Sequence, residues 1–130
     1  MIVVDASAVL EMLLGTECGV QIADRVLTPE QRLHAPHLID VEITQALRRL
    51  VMLKEIDAAR AELALGDYLA LVIERHSQVE MLPRLWQLRD ALGAYDASYV
   101  ALAEGLQAPL LTCDGKLARA HGHEAIVDLV

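Results

Sequence analysis

Two carboxylates directly follow apolar runs in this sequence. Asp5 comes after the β-branched residues 2–4, and Asp114 comes after residues 109–113. Both runs are typical of short strands buried in a parallel sheet. Open α/β sheets bind their ligands at the carboxyl ends of such strands. The pattern therefore predicts that Asp5 and Asp114 meet at one edge of the sheet.

Two further acids lie on predicted helices that border the same edge. Asp96 falls in the first turn of a helix over residues 94–106, and Glu42 lies at the margin of the apolar face of a helix over residues 37–52. Each of the four acids has a simpler interpretation when taken alone, as a helix cap or a solvated charge. Together they favour a shared site more than three independent caps.

Clustered carboxylates repel one another and raise one another's pKa, unless a cation lies between them. Oxygen ligands of this kind suit Mg²⁺ or Mn²⁺. Such a cation polarises a phosphoryl oxygen and activates water. The acids therefore point to metal-dependent phosphoryl chemistry.

The elements that must position these acids follow an alternating pattern, which predicts an α/β fold with a central parallel sheet of four to five short strands and helices on both sides. No linker or repeat interrupts it, so residues 1–130 are expected to form one domain. The predicted strands are residues 2–4, 33–36, 79–82, 109–113 and 125–127. The predicted helices are residues 7–14, 16–27, 37–52, 56–74, 85–92, 94–106 and 114–120.

The composition limits the other possibilities. The 130 residues carry 19 acids against 11 Lys and Arg, giving a net charge of -8, which argues mildly against nucleic-acid binding through a basic surface. A cation held by the acids would remove that objection. No leader peptide or membrane-spanning run is evident, and the two cysteines lack a metal-ligand spacing. We therefore expect a cytoplasmic protein without a membrane segment.

Four segments resemble the PIN-domain ribonucleases, and most closely the VapC toxins of bacterial toxin–antitoxin pairs. They occur in the family's order from the first residues almost to the last, so the resemblance covers the whole domain. The segments are Ile-Val-Val-Asp-Ala-Ser-Ala at residues 2–8, Ala-Pro-His-Leu-Ile-Asp-Val-Glu at 35–42, Tyr-Asp-Ala-Ser-Tyr-Val-Ala-Leu-Ala-Glu at 95–104, and Leu-Thr-Cys-Asp-Gly-Lys-Leu-Ala at 111–118.

The resemblance implies an endoribonuclease that hydrolyses RNA phosphodiester bonds with metal-activated water. It implies an acidic quartet that binds one or two Mg²⁺ or Mn²⁺ ions: Asp5, Glu42, Asp96 and Asp114. Ser7 and Thr112 match positions where the family keeps small hydroxyl residues beside the acids, although Thr112 is equally well explained as a strand residue. The resemblance also implies a homodimer and a cognate antitoxin, whose tail would bind in a groove on the first two helices.

Lys116 lies close to Asp114 in the sequence and is a candidate contact for an RNA phosphate, although basic residues on helices are more often merely exposed.

Two other functions remain open at this point. A phosphatase of the haloacid-dehalogenase type also begins with a strand and an Asp, but it needs a second acid two residues later, where this chain has Ser7. The second alternative is a non-catalytic module that binds a ligand at the acidic site. Trapping a phosphoryl group on Asp5 would support the first, and absence of Mg²⁺ or Mn²⁺ binding would support the second.

Overall fold

Five short strands form one sheet in the computed structural model, which describes residues 1–130. The strand order is β3-β2-β1-β4-β5, and each neighbouring pair is parallel. Every residue of the two strands β1 and β4 is buried, as expected where helices cover both faces of a parallel sheet. The strands are β1 (Ile2–Val4), β2 (Leu33–Pro36), β3 (Ile73–His76), β4 (Leu110–Thr112) and β5 (Val127–Leu129).

Seven helices flank this sheet, which confirms the predicted α/β architecture. The helix α6 packs on both β1 and β2, and α3 packs on β2 and on the helix α1. The helices are α1 (Ala6–Leu14), α2 (Glu17–Val26), α3 (Leu38–Met52), α4 (Ala58–Ala70), α5 (Leu82–Gln87), α6 (Ala94–Leu106) and α7 (Gly115–Arg119).

The core contains 28 buried hydrophobic residues and is built almost entirely from aliphatic side chains. The chain has no Phe, and the largest fully buried side chain is Tyr99 on α6. Most of α6 from Ala97 to Ala103 is buried, so this helix passes through the interior. A helix in that position can present side chains both to the sheet and to the neighbouring helices.

One predicted strand is wrong. Residues 79–82 were expected to be extended, but Val79–Met81 forms a 3₁₀ turn that leads into α5. Pro83 lies in the first turn of α5, where its missing N–H costs no hydrogen bond, so it begins a helix rather than ending a strand. The third strand is instead β3, which lies partly in the region predicted as the end of a long helix.

The position of β3 is set by pairing with β2, in which Leu33 aligns with Ile73 and Pro36 with His76. Pairing across the sheet is a non-local interaction that a helical pattern along the chain does not reveal. The closing strand is also displaced, since it runs over Val127–Leu129 rather than residues 125–127.

Candidate metal centre

The central strands bring Asp5 and Asp114 to one edge of the sheet. The strands β1 and β4 are neighbours in parallel register, with Val3 aligned with Leu110 and Val4 with Leu111. Asp5 follows β1 and is the N-cap of α1, and Asp114 occupies the corresponding position between β4 and α7. Both acids therefore cap helices, as the simpler interpretation predicts, and both also lie at the expected edge.

Asp5 is only 5% exposed and is held by three hydrogen bonds. Its Oδ1 accepts from the Ala8 N–H at 2.9 Å and from the Ser7 Oγ at 2.7 Å. Its Oδ2 accepts a short hydrogen bond from Thr112 Oγ1. Since a carboxylate oxygen offers about two lone pairs, Oδ1 is fully used and Oδ2 keeps one free.

The two hydroxyl residues connect the start of α1 to the end of β4. Ser7 Oγ accepts a hydrogen bond from the Cys113 N–H at 3.0 Å and lies 3.3 Å from Thr112 Oγ1. Thr112 Oγ1 accepts from the Asp114 N–H at 2.9 Å. Ser7 and Thr112 therefore lie beside the acids as expected, and both contact Asp5 directly.

Glu42 approaches the same edge from α3. It is partly buried, and its Oε1 accepts a hydrogen bond of 2.5 Å from the hydroxyl of Tyr99 on α6. The sequence interpretation did not include Tyr99. The one signal available was its position three residues after Asp96, which places the two side chains on neighbouring turns of one helix face.

Asp96 and Asp114 complete the acidic edge. Asp96 is partly buried in the first turn of α6 and accepts no hydrogen bond within the protein. Asp114 accepts from the Lys116 N–H at 2.8 Å through Oδ1. The pKa of Asp96 is raised overall, mainly by burial, and the positive charge of the exposed Lys116 offsets part of that increase. The predicted RNA contact residue therefore lies within electrostatic reach of the acids.

The surroundings oppose ionisation of three of these acids. Burial raises the pKa of Asp5, and the charge of Asp96 adds to the effect. Burial also raises the pKa of Glu42, with further contributions from the charges of Asp96 and Asp5. For Asp96, burial raises the pKa first and the charge of Asp114 second. The four carboxylates therefore form one electrostatically coupled group, here called the acidic edge.

The donor set of the acidic edge fits a hard divalent cation. Three of the four carboxylates keep at least one oxygen without a hydrogen-bond partner: Glu42 Oε2, Asp114 Oδ2 and both oxygens of Asp96. Asp5 keeps one free lone pair on Oδ2, which also accepts from Thr112. None of the four forms a salt bridge within the protein. Oxygen ligands with uncompensated negative charge are those that Mg²⁺ and Mn²⁺ prefer.

A separate group of possible ligands lies on β2 and β3 and was not anticipated. His34, Glu74 and His76 place their donor atoms within 4.8 Å of one another. The pair His34 Nδ1 and His76 Nε2 is 2.9 Å apart, which is a hydrogen-bond distance between the rings. Glu74 Oε2 lies 3.7 Å from His34 Nδ1. The contact between the rings uses one nitrogen of each histidine. The group is separate from the acidic edge.

An apolar groove of about 670 Å³ opens beside Glu42. It runs between α1, α3 and the start of α6, and Val41 and Tyr95 at its rim are more than two-thirds exposed. Its apolar lining includes Leu10, Leu38, Val41, Ala46, Leu50 and Leu53. A partner segment lying in this groove would pass next to the acidic edge.

The sequence matches a known protein family and several ribonucleases. The profile of the PIN-domain family matches residues 2–122. Ribonuclease VapC12 of Mycobacterium tuberculosis is 41% identical over 130 residues, which cover 100% of this chain and 99% of that protein. VapC ribonuclease Mb0985 of Mycobacterium bovis is 45% identical over 118 residues, which cover 91% of this chain and 89% of that protein.

A solved structure gives the same result at the level of the fold. The crystal structure of PAE2754 from Pyrobaculum aerophilum matches with a TM-score of 0.70 and 26% identity, covering 97% of this chain and 82% of that chain. The chain therefore belongs to the PIN-domain family, and within it to the VapC ribonucleases. This confirms the resemblance seen in the four sequence segments.

No helix is both long enough and apolar enough to cross a membrane.

Proposed function

We propose that residues 1–130 act as one Mg²⁺- or Mn²⁺-dependent endoribonuclease domain, the toxin of a toxin–antitoxin pair. The observation that carries this proposal is the environment of Asp5, a buried carboxylate at the carboxyl end of β1 whose neighbouring acids form no salt bridge. Such an arrangement is unfavourable by itself and becomes favourable when a cation is bound. Membership of the VapC ribonucleases supplies the substrate class.

Asp5, Glu42, Asp96 and Asp114 are the proposed ligands. Glu42 and Asp114 would bind through the oxygen that accepts no hydrogen bond, Asp96 through either oxygen, and Asp5 through the remaining lone pair of Oδ2. A bound Mg²⁺ or Mn²⁺ supplies polarisation of the scissile phosphodiester and activation of a water nucleophile. The reaction is an in-line hydrolysis that leaves 5′-phosphate and 3′-hydroxyl ends.

Neutral donors of this chain fix the orientation of the ligands before any cation arrives. Ser7 and Thr112 hold the two oxygens of Asp5, and Tyr99 holds one oxygen of Glu42. None of these three side chains carries a positive charge that would compete with the cation. Ligands fixed in this way reduce the cost of organising the site when it is loaded.

The contacts of Asp5 argue against its use as a nucleophile in a phosphatase. One of its oxygens is fully occupied by Ser7 and the Ala8 N–H, and the other accepts from Thr112. Ser7 lies at the position where the phosphatase would need a general acid. Its hydroxyl instead donates a hydrogen bond to Asp5. The ligand role uses the remaining lone pair and is the one we propose.

Lys116 is the proposed contact to the RNA backbone. Its ammonium is exposed, and its charge offsets part of the increase that burial causes in the pKa of Asp96, so a phosphate bound at the acidic edge would lie within its reach. The net charge of -8 makes such a local positive group valuable for holding a polyanion.

The antitoxin is the proposed occupant of the apolar groove beside Glu42. An apolar segment seated there would cover Val41 and Tyr95, which are otherwise exposed, and would block access to the acidic edge. The sequence resemblance implied an antitoxin contact on α1 and α2, and only α1 contributes to this groove. We also retain the homodimer as a proposal, which light scattering on the purified chain would test.

The proposal is tested by incubating the purified chain with RNA in Mn²⁺, in Mg²⁺ and in EDTA. Cleavage is expected only with a divalent cation, and Asp5→Ala is expected to reduce the rate by roughly 10³-fold, equivalent to about 4 kcal/mol. Loss of the Asp5 carboxylate removes a proposed ligand and lowers the negative charge that attracts the cation, so the cation should bind much more weakly.

Asp40→Asn is the matched control because it removes a carboxylate from α3 that is already paired with Arg75. Its cleavage rate should stay within a few-fold of the parent. An Asp5→Ala protein that cleaves as fast as the parent would contradict the proposal, as would undiminished cleavage in EDTA.

A further inference from the structure

Two cysteines that are 95 residues apart in the sequence meet beside the acidic edge. The sulfur of Cys18 on α2 lies 2.8 Å from the sulfur of Cys113, which follows β4. Both are free thiols, and both residues are partly exposed. The sequence indicated only that the two cysteines lack a metal-ligand spacing, because nothing along the chain links the two positions.

The pair is held on the side of Cys18 by tight packing. The next residue, Gly19, is buried against α1, and a Cβ added there would lie 1.9 Å from the carbonyl oxygen of Glu11. The Cys18 sulfur also lies 3.6 Å from the carbonyl oxygen of Val130. Because α2 fits α1 without spare room at this point, Cys18 has little freedom to move away from its partner.

On the other side, Cys113 belongs to the segment that forms the site. Its N–H donates to Ser7 Oγ, and its neighbours are Thr112, which holds Asp5, and the proposed ligand Asp114. A covalent bond to the Cys113 side chain therefore acts on the part of the backbone that positions two groups of the acidic edge.

We propose that Cys18 and Cys113 form an intramolecular disulfide on exposure to a small-molecule disulfide, and that this bond slows RNA cleavage. The second half of this statement depends on the function proposed above, and the first half does not.

The reaction is a pair of thiol–disulfide exchanges. One cysteine attacks the small-molecule disulfide to form a mixed disulfide and releases one small thiol, and the other cysteine then displaces the second. The protein loses two electrons and two protons, and the small-molecule disulfide gains them as two thiols. A dithiol reverses the reaction by the same route.

The bond would disturb the site because a disulfide is about 2.05 Å long, so the two sulfurs must approach by about 0.8 Å. Since α2 is packed tightly at Gly19, the movement falls mainly on residues 112–114. Misplacement of a catalytic group on this scale is sufficient to lower a rate by an order of magnitude or more.

The first arm of the test measures bond formation alone. The full-length protein is equilibrated in mixtures of reduced and oxidised glutathione, quenched with acid and weighed by mass spectrometry. Burial raises the pKa of the Cys113 thiol to about 12, which slows exchange, so the mixtures are held until the composition is constant. We expect a monomer lighter by two hydrogen atoms. After proteolytic digestion, the peptides that contain Cys18 and Cys113 should be found linked by a disulfide. Persistent free thiols, or a disulfide between two chains, would overturn the proposal.

The second arm compares the oxidised and reduced proteins in RNA cleavage with Mn²⁺. We expect a loss of roughly tenfold or more on oxidation, recovered with dithiothreitol. The Cys18→Ser protein leaves the site segment intact, and it should cleave RNA at the rate of the reduced parent under both conditions. Equal rates for the oxidised and reduced parent would overturn the regulatory half.

Failure of the proposed function has a different signature. In that case the reduced parent does not cleave RNA at all, although the disulfide still forms. Calorimetric titration with Mn²⁺ then replaces cleavage as the readout, and the oxidised protein should bind this cation more weakly than the reduced protein. Unchanged binding would overturn the coupling between the disulfide and the acidic edge.

Discussion

Asp40 and Glu42 lie two residues apart on α3, but the surroundings of Asp40 favour an ionised carboxylate and those of Glu42 disfavour one. Asp40 accepts hydrogen bonds from Arg75 Nε at 2.9 Å to each oxygen and from Tyr68 Oη at 2.6 Å. The Arg75 guanidinium lowers the pKa of Asp40. Glu42 has only the hydroxyl of Tyr99 as a partner, and burial raises its pKa. One turn of helix thus carries a neutralised acid and an uncompensated one.

The same contrast separates α6 into two halves. Near its end, Glu104 forms a two-bond contact with Arg84 and accepts from the Glu124 N–H, and Arg84 lowers its pKa. At its start, Asp96 accepts no hydrogen bond and has a raised pKa. The paired acids therefore stabilise the fold by themselves, whereas the acidic edge is ionised at a cost that only an external cation removes.

The largest effect expected from this difference is the response to a cation. Saturating Mn²⁺ should stabilise the parent, because a ligand at 100 times its Kd adds about 2.7 kcal/mol to the free energy of unfolding, or roughly 10 °C in Tm for a chain of this size. Asp96→Asn should lose most of the gain, since it removes the carboxylate with both oxygens free. Thermal unfolding followed by circular dichroism, with and without Mn²⁺, measures both.

Glu104→Gln is the matched control on the same helix. Its Tm should rise with Mn²⁺ as much as that of the parent, because Glu104 is committed to Arg84. If Mn²⁺ raised the Tm of the parent, Asp96→Asn and Glu104→Gln equally, the cation would bind away from the acidic edge, for example at His34 on β2 and His76 on β3.

The acidic edge was largely predictable because its logic is topological. Parallel strands end at one edge, so Asp5 and Asp114 could be placed together from two apolar runs that each precede an acid. Each acid also caps a helix, and this local role cannot be separated from ligand binding by sequence alone. The two interpretations are compatible, since capping uses only one oxygen of each carboxylate.

What escaped the sequence depends on contacts between distant segments. Tyr99 reaches Glu42 across 57 positions, and Cys18 reaches Cys113 across 95. The strand β3 was missed for the same reason, because its polar residues Glu74 to His76 become extended only by pairing with β2. Local periodicity carries no information about such partners, and it continues a helical pattern past the true end of α4.

A second prediction concerns the stability supplied by a paired acid. Glu104→Gln should lower the free energy of unfolding by about 1 kcal/mol, because it weakens charge-assisted hydrogen bonds to Arg84 in a site that is only partly shielded from water. Urea unfolding at pH 7 measures the change. Since Arg84 lowers the pKa of Glu104, the loss should shrink as the pH falls through the carboxyl range. A loss that stays constant down to low pH would show that packing, rather than charge, explains it.

The smallest expected effect has the opposite sign. Without a divalent cation, Asp96→Asn should raise the free energy of unfolding at pH 7 by about 1 kcal/mol, because it removes a charge that burial and Asp114 disfavour. A carboxyl whose pKa is raised on folding holds more protons in the native than in the unfolded state. Its contribution to stability is therefore present at low pH and is lost as the pH rises above the ordinary value of 3.8. The advantage of Asp96→Asn should accordingly appear as the pH rises above 3.8, whereas the disadvantage of Glu104→Gln develops at lower pH and is complete once the pH exceeds the ordinary Glu value of 4.5. If the two variants changed in the same direction with pH, the distinction between paired acids and the acidic edge would fail.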